Sequence, residues 1–258
     1  VRYLSDTGTG LASVVYGNIY LVPKLTASAV YSFGSGAVTI NGDFTINPSA
    51  SSAFLLTVQL MSPSGHTVAS GKTTTVTRTS SATANLTTTS GGHPFSTGFL
   101  TIATGGTLTA NASTVTLTGT SGTLFTKVGT FTQGTSNVTV TSGSGSPTFL
   151  SGATTFHKLT INSAATVINM GSAVTINNAA GAALDIQAGV FNIDTTNLVG
   201  PGTGIGTLTI ASGATLCLGG TTAATTATCD SGITQPANIG IPDFLTYTFN
   251  VASTVRYL

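Results

Sequence analysis

Short runs in which apolar and polar residues alternate recur along the whole chain, broken by clusters of Gly, Ser, Asn and Ala. Clear examples are Ala37-Val38-Thr39-Ile40-Asn41, Phe44-Thr45-Ile46, Leu100-Thr101-Ile102, Val115-Thr116-Leu117, Val138-Thr139-Val140, Leu159-Thr160-Ile161, Val174-Thr175-Ile176 and Leu208-Thr209-Ile210. A period of two puts the outer pair of each triplet on one face of a strand and the Thr on the other. The branched Cβ of Thr, Val and Ile suits a pleated surface. No segment keeps a helical period through three turns. The pattern therefore predicts an all-β chain of many short strands joined by tight turns. The predicted core is Val38, Ile40, Phe44, Ile46, Leu100, Ile102, Leu159, Ile161, Val174, Ile176, Leu208 and Ile210.

The runs are ordered by a longer repeat. The stretch Gly129–Ile161, GTFTQGTSNVTVTSGSGSPTFLSGATTFHKLTI, acts as a loose template. The tail from Thr248 to Leu258, joined to the head from Val1, reads as a second copy, with Tyr16 to Leu21 standing where Phe156 to Ile161 stand. Val255-Arg256-Tyr257-Leu258 also repeats Val1-Arg2-Tyr3-Leu4 letter for letter. The alignment predicts a first unit over 1–137, with an insertion at about 61–90 read as a loop or an added coil. A second unit covers 138–254, and residues 255–258 begin the next repeat. In both units the template is followed by an Ala-Val-Thr-Ile-Asn strand (37–41 and 173–177). A Leu-Thr-Ile-Ala strand pair then follows (100–108 and 208–216). The chain is thus expected to be one 254-residue window of a tandem array. Two architectures accommodate units of this size: a β-solenoid, expected as a right-handed β-helix, and tandem immunoglobulin-like sandwiches. Near-identical strands recurring within a unit favour the solenoid, because stacked coils place like residues on like.

Composition narrows the function. The chain has 258 residues, with 7 Lys and Arg against 6 acids, no Trp and 32 Gly. A net charge of +1 without a basic cluster excludes nucleic acid as an expected partner. Abundant Val, Ile and Thr distinguish the chain from a disordered one. Low charge gives little electrostatic help with solubility, so the chain is expected in an assembly or glycosylated. Asn85-Leu86-Thr87, Asn111-Ala112-Ser113 and Asn137-Val138-Thr139 fit the glycosylation pattern, which random occurrence in a Thr-rich chain also explains. No apolar run approaches the ~18 residues of a membrane span, and no signal peptide is visible.

The phrases GTFTQGTSNVTVTSGSGSPTFLSGATTFHKLTIN and STVRYLSD, YGNIYL, GAVTINGDFTIN resemble segments of very long bacterial tandem-repeat surface proteins. In those, "G-T-F-x-x-G-T-S-x-V-x-F" and "T-x-F-x-N-L-T-I" recur many times. The resemblance covers most of the chain and departs from the pattern at Lys158, where Asn is usual. It implies a secreted β-helical stalk, an adhesin or an extracellular matrix component at the cell surface.

Candidate chemistry is sparse. The acids Asp6, Asp43, Asp185, Asp194, Asp230 and Asp243 are scattered and sit mostly beside turn residues, where Asx turns explain them. Acid/base work on glycans needs carboxylates converging in a cleft. His66, His93 and His157 show no metal-ligand spacing, and His157 reads as a surface residue. The Gly200–Gly206 run has no following helix to form a phosphate site and reads as a loop. Cys217 and Cys229 flank a short flexible segment. A disulfide between them closes a small loop, contributing about 3 kcal/mol in the chain-entropy model, and suits an oxidising setting. An ice-binding face requires one Thr-x-Thr at the same place in every coil, whereas apolar-Thr-apolar is the commoner word here. The expectation is a non-enzymatic structural segment without cofactor or metal. Its partners are adjacent repeats or identical chains in a fibre. The alternative is an adhesin or carbohydrate-binding region that meets surface glycans through loops such as Met61–Ser90 or Gly219–Pro242.

Overall fold

The computed structural model describes residues 1–178, 181–193, 198–200, 206–218 and 243–257. Among them there is no helix, and every registered strand pair is parallel. Successive strands turn a corner instead of folding back, and each returns to its own face one coil later. The protein is a β-solenoid. All-parallel pairing excludes the immunoglobulin-like alternative, whose sheets are antiparallel.

The chain divides into two compact units, Val1–Leu117 with Phe125–Ser136, and Thr118–Leu124 with Asn137–Leu258. In the first unit each coil visits three faces. One face stacks Val15–Tyr16, Val38–Ile40, His66–Val68, Phe95–Thr97 and Thr114–Leu117. The next stacks Arg2–Tyr3, Ile19–Leu21, Phe44–Ile46, Thr73–Val76, Phe99–Ile102 and the end of Thr123–Lys127. The third stacks Thr9–Leu11, Ala29–Phe33, Leu55–Gln59, Thr83–Thr87, Gly106–Thr109 and Thr130–Thr132. A narrow ladder of Lys24–Leu25, Ser49–Ala50 and Thr79–Ser80 fills one corner. The expected insertion at 61–90 is an added coil: it supplies strands to every one of these ladders.

In the second unit two long strands, Lys158–Asn169 and Ala182–Asn192, run around a corner and serve two faces each. Register shifts occur at the bend. Leu159 and Ile161 stand between Val138 and Val140 below and Leu184 and Ile186 above. Thr154–Phe156, Val174–Ile176 and Leu198–Val199 form the third face.

Alternation directs one side chain of each triplet's outer pair into the same column in every coil. Ile19, Phe44, Thr74, Leu100 and Phe125 make one column, and Leu21, Ile46, Val76 and Ile102 another. All twelve core residues expected from sequence are buried, none more than 2% exposed. At roughly 1.5–3 kcal/mol for each fully buried aliphatic or Phe side chain, these columns hold the coils together. Polar residues enter such inward columns as well. Thr74 and Thr97 hydrogen-bond each other at 2.9 Å, and Thr97 also donates to the Phe99 carbonyl, so both are satisfied without water. His66 is another.

Corners require close approach of backbone. A Cβ on Gly129 would collide with the carbonyl oxygens of Ala103 and Gly106. The first residue of the sequence template is glycine because the coil beneath leaves no room for a side chain.

Candidate functional site

The outward residues stack as regularly as the inward ones. Arg2, Tyr20, Thr45, Thr75, Thr101 and Thr126 form one exterior column of the first unit. On the third face the two outward columns are Val30, Thr57, Asn85, Thr107, Thr130 and Ser32, Gln59, Thr87, Thr109, Thr132. Thr-x-Thr therefore stacks on itself only at Thr107–Thr109 and Thr130–Thr132. The remaining coils carry Val30-x-Ser32, Thr57-x-Gln59 and Asn85-x-Thr87, so this face lacks the one motif per coil that an ice-binding surface was expected to need. Its hydroxyls are also engaged by side-chain amides of the adjacent coil: Ser32 donates to Gln59 Oε1 at 2.8 Å and Thr109 to Asn85 Oδ1 at 3.0 Å.

The three candidate glycosylation asparagines all take part in such cross-coil bonds. Asn85 accepts from Thr109, Asn111 Nδ2 donates to Thr87 Oγ1 at 3.1 Å, and Asn137 Oδ1 accepts from Thr160 Oγ1 at 3.1 Å. Each is half-buried. Asn111 adopts φ +49°, the left-handed conformation of a tight corner that Asn tolerates. A further pair, Asn169 and Asn192, lies inside the second unit, where Asn192 Nδ2 donates to Asn169 Oδ1 at 2.9 Å. Period-two reading does not flag this internal ladder, because it sits at the strand ends where the chain turns.

The described acids stabilise turns and neighbouring coils. Asp6 Oδ2 accepts from Thr26 Oγ1 at 2.6 Å, and Asp43 Oδ1 accepts the Thr73 N–H at 2.9 Å. Asp185 stands in an outward column between Thr160 and Thr209, 3.9 Å from Lys158 Nζ and hydrogen-bonded by Gln187 at 2.8 Å. Lys158, the departure from the resembling pattern, thus faces an acid one coil away. Asp194 and Asp230 lie outside the described residues. Among those described, no group of three His, Cys, Asp or Glu residues comes together. His157 is half-exposed. His66 is buried at 2% exposure, its Nε2 accepting the Ser62 N–H at 3.0 Å while Nδ1 has no partner. Burial, with the nearby charge of His93 second, pushes its pKa down to about 4. Burial first, and the neighbouring Tyr3 hydroxyl second, raise the Tyr16 hydroxyl to about 12.

A groove of about 270 Å³ runs across three stacked corners of the second unit, lined by Thr166, Gln187, Gly189, Ser212 and Thr215 among others. No ionisable side chain lines it, so its polar chemistry is hydrogen bonding by hydroxyl and amide groups. Cys217 is fully buried at the end of Thr215–Leu218. Cys229, the Gly219–Pro242 loop and residues 201–205 of the glycine-rich run lie outside the described residues.

The most distinctive exposed chemistry lies at the coil edges. Among the described residues, Thr246–Phe249 pairs only with Thr207–Ile210, and Thr254–Tyr257 only with Thr215–Leu218. Leu245, Tyr247, Phe249 and Val251 of this last coil are exposed, Val251 at 89%. The first coil of the other unit is similar, with Val1, Leu4, Val14 and Val15 exposed. No helix among the described residues is long and apolar enough to cross a membrane. No protein-family model, curated protein or solved structure matches the chain.

The class that fold and surface define is a β-solenoid of stacked parallel coils, with polar ladders outside and, among the described residues, apolar side chains exposed on the first and last coils.

Proposed function

We propose that this chain is a non-enzymatic structural segment of an extracellular tandem-repeat fibre, stalk or surface layer. One observation carries the reading: both copies of the sequence template close a coil in the same register. In the second unit Thr139 and Val140 pair with Thr160 and Ile161 one coil on. In the first unit the aligned residues of the other copy, Arg2 and Tyr3, pair with Tyr20 and Leu21. The same residues meet in the same register in both copies, so a sequence that repeats adds coils that extend the stack. Length then scales with the number of repeats, and each coil is held by its neighbours. Weak charge suits a surface whose contacts are mainly with its own kind, and the two cysteines suit an oxidising exterior.

The test is a chain carrying two complete 254-residue periods joined through their shared Val-Arg-Tyr-Leu. The expected result is a particle whose contour, measured by electron microscopy and small-angle scattering, grows by one period's length with unchanged width. A two-period chain that collapses to a compact particle of unchanged length sinks the proposal.

A further inference from the structure

We infer that the turn over residues 61–65 of the first unit is an acid-operated latch, held shut by neutral His66 and released when that ring takes up a proton. The latch lies within one unit and does not depend on the fibre reading. His66 begins the strand His66–Val68, which is paired on both sides, with Val38–Ile40 and with Phe95–Thr97. Its ring packs 5.4 Å from Phe33 and is sealed from water at 2% exposure. Nε2 accepts the Ser62 N–H at 3.0 Å, so the neutral ring carries its proton on Nδ1, which has no acceptor. The turn is exposed at Met61, Pro63 and Ser64. It is anchored at both ends: the Leu60 N–H donates to the Thr87 carbonyl at 2.8 Å and the His66 N–H to the Pro94 carbonyl at 3.0 Å. Between these anchors the Gly65 N–H donates to the Ser62 carbonyl at 3.0 Å, with Gly65 at φ +90°, where glycine is unstrained. The Ser62 hydroxyl is fully buried without a partner, so it adds no hydrogen bond to the closure.

Protonation turns Nε2 from acceptor into donor. Two N–H groups then face each other, and the bond that held Ser62 is lost. The cation is also unsupported, because neither of its N–H groups has an acceptor in an apolar surrounding. On the elements packed around the ring the titratable groups are Tyr31 and His93. Tyr31 donates its hydroxyl to the Ser5 carbonyl, and nearby His93 disfavours the cation. The strands Val38–Ile40, Phe44–Ile46 and Phe95–Thr97 carry no ionisable side chain. Swinging the turn outward hydrates the imidazolium and uncovers the Phe33 ring, which is otherwise fully buried. The ring titrates near ~6.5 when open and near 4 when closed. The latch is therefore shut at neutral pH, and the ratio of open to closed grows about tenfold for each pH unit between those values.

Amide hydrogen exchange by NMR on the full 258-residue chain tests the latch, each rate being divided by its intrinsic value at that pH. Between pH 7 and pH 4.5 the protection factor of Ser62 is expected to fall roughly fiftyfold. Amides of residues 159–161 in the second unit are expected to change less than about threefold, because local opening leaves them paired. His66→Gln puts a neutral amide in place of the ring and is expected to abolish the fall. His93→Gln removes the neighbouring titratable ring and is expected to leave the fall in place. The inference is overturned if Ser62 protection in the parent stays level, or if it falls by the same factor as residues 159–161. An equal fall in His66→Gln, or the loss of the fall in His93→Gln, overturns it as well. If His66→Gln fails to fold by circular dichroism, the parent and His93→Gln decide on the same criteria.

Discussion

At the scale of single residues, the fold depends on a few positions where the alternating pattern is set aside. His66 occupies the column of Val38, Phe95 and Val115 and packs 5.4 Å from the Phe33 ring. Because its folded pKa lies near 4, below the ~6.5 of a free His, the unfolded chain binds the extra proton between those values. Stability is complete above about pH 6.5, falls as the pH drops toward 4, and levels off below. The loss reaches up to about 3 kcal/mol. Urea unfolding at stepped pH is expected to show this acid limb in the parent chain and a flattened one in His66→Leu. Gly129 is a second such position. With two carbonyl oxygens in the path of any Cβ, Gly129→Ala forces the corner apart and is expected to cost about 1–3 kcal/mol, read as a lowered urea midpoint. An unchanged midpoint would mean that the corner yields freely.

At the scale of strands and ladders, Asn192 shows how coil register is fixed. Its amide donates to the Asn169 oxygen out of reach of water, whereas Asn85 makes a comparable bond with Thr109 at a half-exposed position. Stranding the buried acceptor is expected to cost about 1–3 kcal/mol in Asn192→Ala, clearly more than in Asn85→Ala; equal midpoint shifts in denaturant would contradict this account. The same comparison shows what the sequence discloses. Triplets such as Leu159-Thr160-Ile161 reveal the strand, its buried face and its place in a repeat, because burial enforces a period of two. Similarity between triplets favours coils over sandwiches, whereas 61–90 reads from sequence only as extra length, loop or coil alike, and its strands Thr73–Val76 and His66–Val68 put polar residues inward. Thr74 and His66 are admitted there by partners from other positions, Thr97 and Ser62, which no local pattern reveals. The edge chemistry was half legible: the repeated Val-Arg-Tyr-Leu is plain in the letters, but which N–H groups point outward depends on the register with Thr215–Leu218.

At the scale of the whole molecule, stability should be graded by position. A strand paired on both sides, such as Phe44–Ile46 or Ala182–Asn192, opens only when two interfaces break. Among the described residues, Arg2–Tyr3 and Thr254–Tyr257 are each paired on one side and need lose only one. Solenoids sum nearest-neighbour terms, so local opening is expected to begin at these edges and to demand progressively more free energy inward. Hydrogen exchange of the dilute chain should therefore show the least protection in the two edge strands. The last strand carries a finer signature. Thr254, bonded to Ala214, should exchange slowly while its neighbour Val255 exchanges fast, an alternation within one strand that simple fraying does not produce.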